Sequence, residues 1–341
     1  MVNQLSCLGA ALVLSGAILS AQTTQLDKNK QKLTQAAYPP LVAVGQTSRL
    51  VFHISPLSGK GLLSEQTRDA LKAILKLNGG APIIHIRAFS AGNGDVRRIP
   101  QIVSDVLGGR SGPLPSISVI QGGALALEDA QIVLETVSVG KKEVNKNGIA
   151  FHAAETAVAS EPTMPVLPLL QKSVDQLAEK MKGQTALSVT CFVSDLDGAG
   201  ELLRTITSRF PGAATDLVQP RRLAWQTEAS CEGVSRGETH GETQGNGLTA
   251  PRIAFSGTQV AFGTDDKDAL LAFQRLDRAM NDAGAPLGGS AGVLRLYLLS
   301  PATVAVALRQ ATGRGLISLF EVESVGTLSA GFAIDAVAPA H

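Results

Sequence analysis

The sequence predicts an α+β protein built from three tandem copies of one small unit. Three strand-like apolar runs end in a serine, at Ser90, Ser194 and Ser300, and these serines lie 104 and 106 residues apart. A stretch with helical periodicity stands before and after each run. Each copy also opens with one strand-like stretch and closes with two more. The predicted order of each copy is therefore β-α-β-α-β-β.

The helical stretches carry a single apolar stripe. In the second copy Leu170, Val174, Leu177 and Met181 recur at steps of four, three and four residues. Such spacing places the four side chains on one face, as in a helix that lies on a sheet. The sequence thus predicts helices packed on one face of each small sheet.

Polar, glycine-containing stretches separate the copies and indicate exposed linkers. The uncharged run Leu5–Ala21 ends in small residues, as the core of a signal peptide does. An uncleaved membrane anchor is the alternative. We expect export to the periplasm or the exterior, with no membrane span after cleavage, or a cytoplasmic protein if the run is not a signal. The predicted divisions are 1–21 signal peptide or anchor, 22–48 polar tether, and units at 49–140, 149–236 and 250–341.

Composition argues against several classes of function. Thirty basic side chains stand against 29 acidic ones, and aromatic residues make up 4% of the chain. Nucleic-acid binding usually needs a basic face and stacking side chains, so we expect no nucleic-acid partner. The three cysteines and five histidines show no metal-ligand spacing, and no phosphate-binding glycine motif occurs. We expect neither a metal nor a cofactor.

Several local sequences, in this order, resemble the RidA/YjgF family, also called YER057c or L-PSP. They are IAFSGTQV (Ile253–Val260) and NDAGA (Asn281–Ala285) in the third copy, CFVSDLDG (Cys191–Gly198) in the second, and LPSISVIQGGAL (Leu114–Leu125) in the first. The resemblance implies a chorismate-mutase-like fold and, since family members are homotrimers, three copies fused into one chain. We expect a monomer shaped as a pseudo-trimer, with clefts between units.

Active members of the family hydrolyse 2-imino acids, and the resemblance implies an arginine that clamps the substrate carboxylate beside a serine or threonine. The matching pairs are Ile117-Ser118, Ala214-Thr215 and Ile317-Ser318. The hydroxyl neighbour is kept in every copy, and the arginine in none. This departure predicts loss of imine hydrolysis.

A glutamate in the last strand is the second expected group. Its matching positions are Val133, Ser230 and Ala333, with Glu135, Glu232 and Asp335 two residues further on. Residues two apart in a strand share a face, so these acids are expected near the same cleft if the register holds. No catalytic residue is assigned.

The family's serine beside the cleft corresponds to His53, His152 and Ser256. A histidine there can act as a general base or bind an anion, whereas a polar residue that fills the interface is the structural alternative. Together with Ser118, Thr215 and Ser318 these residues form the predicted binding positions. The function expected is binding of a small ligand or partner. The alternative is a diverged imine or enamine deaminase, or a related hydrolase, that uses His53 or His152.

Two further pairs of residues have structural interpretations. His85 and Arg87 alternate with isoleucines, which predicts a solvated edge or a salt bridge between units rather than a site. Export would permit a Cys191–Cys231 disulfide, although the sequence leaves this open.

Overall fold

The computed structural model describes residues 41–47, 50–92, 94–109, 113–139, 148–161, 163–221, 226–236, 252–288, 292–327 and 330–341. The predicted signal peptide and most of the predicted tether lie outside these residues. Strand β1 (Val42–Gln46) pairs antiparallel with a strand near residue 254. Residues 42–46 therefore belong to a sheet and not to a tether, because backbone hydrogen bonds hold them against a neighbouring strand.

The remaining elements fall into three consecutive segments that share the order β-α-β-α-β-β, and the third has one extra strand before its first helix. The first segment contains β2 (Leu50–Ile54), α1 (Leu63–Leu77), β3 (Ile83–Ala91), α2 (Arg98–Leu107), β4 (Ser116–Gly122) and β5 (Ile132–Val139). The second contains β6 (Ile149–Val158), α3 (Val166–Met181), β7 (Ala186–Val193), α4 (Ala199–Arg209), β8 (Ala214–Pro220) and β9 (Glu228–Arg236). The third contains β10 (Arg252–Ser256), β11 (Gln259–Phe262), α5 (Asp266–Asp282), β12 (Val293–Leu298), α6 (Pro301–Ala311), β13 (Leu316–Ser324) and β14 (Ala330–Ala340).

These elements confirm the α+β class. The second and third segments share one sheet, ordered β1-β10-β14-β12-β13-β8-β7-β9-β6, with β11 paired to β14. The first segment forms a second sheet, ordered β2-β5-β3-β4. In each segment the strands that flank the second helix run parallel, and the last strand pairs antiparallel with the first of these two.

The helices bury their apolar stripes on one face of the sheets. Leu170, Val174, Leu177 and Met181 are all buried in the core beneath α3. Helix α6 begins as its sequence predicts, because the Ser300 side chain accepts a hydrogen bond from the Ala302 N–H. No helix in the described part of the chain is long and apolar enough to cross a membrane.

The opposite faces of the sheets are also buried, and there the three segments meet. One apolar cluster joins Phe89 of the first segment, Phe192 of the second, and Tyr297 and Phe320 of the third. A second cluster likewise draws on all three segments, with Phe52, Val234 and Phe255 among its members. Burial of this much apolar surface is the main force that holds the segments together.

Candidate functional site

A layer of buried charged residues lies on the inner faces of the sheets. Arg87 on β3 stands opposite Glu135 on β5, Thr190 on β7 opposite Glu232 on β9, and Arg295 on β12 opposite Asp335 on β14. On the parallel side their neighbours are Ser118, Asp216 and Ser318. The three segments thus contribute equivalent positions, which we call the charge layer. The acids expected near a cleft, Glu135, Glu232 and Asp335, are all buried in this layer.

Ion pairs in the charge layer cross from one segment to another. Arg87 Nη2 contacts Glu232, and Arg295 Nε donates to Glu135 Oε2 at 2.9 Å. Arg295 Nη1 also donates to Asp335 Oδ1 at 2.7 Å. The solvated edge predicted for Arg87 is wrong, and the predicted salt bridge between units is what the structure contains. Arg87 is buried because it faces inward on a sheet that is covered on both faces.

The opposite charges fix the ionisation of the buried glutamates. Burial by itself raises the pKa of Glu135, but Arg295 and then Arg87 outweigh it and hold that pKa below its usual value. Burial likewise raises the pKa of Glu232, whereas Arg87 and His85 bring it below the ordinary range, with help from the Ser118 hydroxyl. Both side chains are therefore carboxylates at neutral pH.

His85 is also buried, so the solvated edge is wrong for it too. Its ring stacks on Phe151 with centroids 5.2 Å apart, and its Nδ1 lies 2.8 Å from Ser116 Oγ. Burial lowers the pKa of His85 to about 4, although Glu232 opposes this shift. The imidazole is neutral at physiological pH and packs as an aromatic ring.

Asp216 is the acid without an arginine. Its Oδ1 accepts a hydrogen bond from the Thr258 hydroxyl at 2.6 Å, and its Oδ2 accepts one from Thr190 at 3.1 Å. Burial and the neighbouring Asp335 raise the pKa of Asp216 to about 7. This carboxyl is hence part protonated at neutral pH.

A small cavity of about 30 Å³ opens beside the charge layer. It is lined by His53 and His152, two of the predicted binding residues, and by Arg87, Glu135 and Glu232. His152 Nε2 lies 2.8 Å from Ser235 Oγ, while the buried His53 Nδ1 has no hydrogen-bond partner among the described residues. The sequence suggested separate clefts for the two histidines, and the structure brings both to this one cavity.

The other predicted binding residues have structural contacts. Ser256 Oγ accepts the Ala336 N–H at 2.8 Å, and Ser118 Oγ accepts the Ala154 N–H at 3.0 Å. Ser318 lies next to Arg295 in the charge layer, and its hydroxyl helps to lower the pKa of Glu135. Thr215 was matched one residue out of register, because Asp216 is the true counterpart of the two serines. The Thr215 hydroxyl donates to the Ala213 carbonyl at 3.2 Å.

The positions expected to hold the carboxylate clamp are apolar. Ile117 and Ile317 pack against the cores beneath the helices. Ala214, the position matched from the sequence, is fully buried in a central cluster, and the register places Thr215 at the strand position that Ile117 and Ile317 occupy in their segments. Of the positions matched to the glutamate, Val133 and Ala333 lie in the other central cluster, while Ser230 bonds Thr156 through their hydroxyls at 2.8 Å.

A larger cleft of about 290 Å³ lies between the first and second segments. Arg97, Val119 and Gln121 line one side, and Phe192 and Ser230 line the other. Val119 and Ser230 belong to the strands in which the family resemblance places its site. Arg97 is the cleft's arginine, but its side chain is 89% exposed and its Nε donates to Asp95 Oδ1 at 2.9 Å.

The sequence prediction missed the layer, although a signal was present. Each equivalent strand reads polar-x-aromatic, as Arg87-x-Phe89, Thr190-x-Phe192 and Arg295-x-Tyr297. Aligning the strands on their serines shifted this pattern by one or two residues and hid it. No cluster of His, Cys, Asp and Glu that could hold a metal ion occurs in the described part of the chain.

Comparison with solved structures places the fold. The chain is similar to chorismatase, with 10% identity and a TM-score of 0.50, over 86% of this chain and 99% of that one. It also matches a cyanuric acid hydrolase from A. caulinodans at 14% identity and a TM-score of 0.43, over 85% of this chain and 99% of that one. A putative translation initiation inhibitor from Salmonella typhimurium matches at 17% identity and a TM-score of 0.24, over 27% of this chain and 83% of that one.

No family model matches the chain, and no curated protein matches it. The similarity to chorismatase shows an α+β protein with a fold like that of chorismatase. At this level of identity the likeness concerns the fold alone.

Proposed function

We propose that the chain is an intrachain pseudo-trimer of RidA-like units that binds a small ligand and does not hydrolyse 2-imino acids. The proposed loss of imine hydrolysis rests on one observation: no basic side chain stands at Ile117 and Ile317, at Ala214, or at Thr215, the counterpart that the strand register gives. The arginines on the inner faces cannot substitute, since Arg87 and Arg295 are buried and engaged by carboxylates. The repeated element order and the shared central clusters support the first half.

The cleft between the first and second segments is the proposed ligand site. Its volume of about 290 Å³ suits a small molecule, and Val119 and Phe192 give it an apolar wall. A carboxylate held only by Arg97 would lack a fixed bidentate partner, because that side chain is exposed and its Nε already donates to Asp95. Binding without orientation of a reacting bond is therefore the expected behaviour.

An imine-hydrolysis assay tests the proposal. An amino-acid oxidase or dehydratase generates 2-imino acids, and release of the keto acid is followed with and without the purified protein. We expect no acceleration, whereas an active RidA enzyme in parallel confirms that the assay works. Saturable acceleration by the purified chain would contradict the proposal.

A diverged deaminase or related hydrolase is the second candidate, and one observation favours it. His53 and His152 line the same cavity as the buried carboxylates Glu135 and Glu232. A carboxylate near an imidazole can orient it as a general base. Loss of activity in both His53→Ala and His152→Ala, with unchanged thermal unfolding, would support this candidate.

Export and a monomeric state belong to the same proposal. Cys191 and Cys231, on opposite strands, form a disulfide, and such bonds persist mainly in oxidising compartments. Expression of the full chain followed by fractionation and mass measurement tests for export and for loss of residues 1–21. Light scattering should give one chain of 35.3 kDa, and a mass three times larger would refute the fused pseudo-trimer.

A further inference from the structure

We infer that the central cavity is a binding site for a compact monovalent cation of ammonium size, which takes the place of a missing third arginine. Arg87 and Arg295 occupy equivalent register positions in the first and third segments, and the second segment has Thr190 there. Thr190 lines the cavity. This inference is independent of the ligand cleft proposed above.

The cavity exists because the second segment presents short side chains to the centre. Ser188 and Thr190 line it on β7, at the positions where the first segment presents His85 and Arg87 on β3. A threonine leaves the space that an arginine side chain would fill. A cavity of about 30 Å³ has room for about two water-sized molecules.

The charges of the layer call for a cation. Two arginines face four carboxyl groups, namely Glu135, Glu232, Asp335 and Asp216. Arg87 is shared by Glu232 and Glu135, and Arg295 by Glu135 and Asp335. No arginine of the described residues reaches Asp216, which takes hydrogen bonds from two hydroxyls. A buried excess of negative charge is costly unless a proton or a cation neutralises it.

Two of the residues that line the cavity, Glu135 and Glu232, are buried carboxylates whose hydrogen bonding points to a ligand. Glu135 Oε1 and Glu232 Oε2 have no well-aligned hydrogen bond among the described residues, although the Ser318 and Ser118 hydroxyls lie close enough to these carboxylates to lower their pKa. Both side chains are more than nine-tenths buried. The Nε2 of the neutral His85 is 3.9 Å from Glu232 Oε2, too far to satisfy it. An ammonium group donates to such oxygens, and an accompanying water can accept from Arg87 Nε and Nη1, neither of which makes a hydrogen bond among the described residues, although Nη1 lies 3.6 Å from Glu135 Oε2.

Binding should be coupled to the ionisation of Asp216. Thr190 lines the cavity and donates to Asp216, so the cation and this carboxyl lie on two sides of one side chain. The other charged or titratable groups that act on Asp216 are Asp335 and Arg295, while Tyr297 remains protonated because burial raises its pKa. A cation that enters the layer favours the ionised carboxyl. Binding is therefore expected to strengthen as the pH rises from about 6 to about 8, with release of a proton.

Thermal unfolding of the full protein at constant ionic strength and chloride concentration tests the site. We expect ammonium and methylammonium to raise the Tm relative to sodium, and tetramethylammonium to have no such effect because it is too large for the cavity. If potassium raises the Tm as much as ammonium does, the site binds metal ions as well as amines. If potassium raises the Tm less than ammonium does, the site prefers cations that donate hydrogen bonds. A Tm that does not distinguish ammonium from sodium at about pH 8 overturns the inference.

A variant that supplies its own ammonium group sharpens the test. Thr190→Lys should raise the Tm and abolish the response to ammonium, whereas Thr207→Lys on the exposed face of α4 should keep the response. Persistence of the full response in a folded Thr190→Lys protein contradicts the inference. Since that variant can prevent folding, calorimetric titration of the unaltered protein with methylammonium chloride is the second arm. Saturable heat, with proton release between about pH 6 and 8, supports the site, and absence of saturable heat refutes it.

Discussion

Removal of Arg295 is the sharpest test of the charge layer. Arg295→Met keeps most of the side-chain volume but leaves Glu135 and Asp335 without the guanidinium that bonds them at 2.9 and 2.7 Å. The Arg295 side chain is 15% exposed and its partners are 9% and 1% exposed. Breaking a buried ion pair by removing one partner costs about 3–5 kcal/mol, a large part of the roughly 5–15 kcal/mol that stabilises a typical domain.

The loss should depend on pH in a defined direction. In the unaltered protein the lowered pKa of Glu135 contributes stability above its ordinary value, and this contribution disappears as the pH falls through the folded pKa. In the variant, burial without Arg295 raises that pKa, so the same group destabilises the fold increasingly as the pH rises. The difference between the two proteins is therefore larger at pH 8 than at pH 5, by about 1 kcal/mol or more.

Urea denaturation at the two pH values measures this difference. Arg309→Met is the matched control, because Arg309 bonds Asp266 at 2.7 Å but both side chains are more than half exposed. Exposed pairs contribute about 0–1 kcal/mol, so the control should change little at either pH. A loss below about 1 kcal/mol for Arg295→Met at pH 8, or one that is independent of pH, would refute the reasoning.

Three further outcomes are expected. Asp216→Asn should flatten the pH dependence of stability between about pH 4 and 7, where the raised pKa of Asp216 makes the unaltered protein lose a few kcal/mol as the pH rises; an unchanged slope in denaturation curves would count against it. Reduction of the Cys191–Cys231 bond, whose cysteines are 40 positions apart in the sequence, should cost about 2–4 kcal/mol in denaturation with and without reductant, and equal midpoints would contradict this. Phe273→Ala, at a fully buried position of α5, should cost about 3–5 kcal/mol by the same measurement, against little change for the exposed Leu270→Ala.

The described part of the chain also shows how far the sequence could be read. Apolar stripes such as Leu170 to Met181 predict where the helices lie and which face they bury, because both properties depend on spacing along a single element. The β-α-β-α-β-β order followed in the same way from local patterns. The strand register did not, since Ser90, Ser194 and Ser300 gave an alignment that the pairing of Arg87, Thr190 and Arg295 with their acids replaces.

The sequence by itself determined the class of fold, the order of its elements and the lack of an arginine at Ile117, Ala214 and Ile317. Only the tertiary structure decided that Arg87 and Arg295 are interior. Arg295 and Glu135 are 160 residues apart, and a two-residue period indicates which face a side chain occupies but not what covers that face. Contacts between distant strands depend on how the segments meet, and this is a property of the packed molecule rather than of any local pattern.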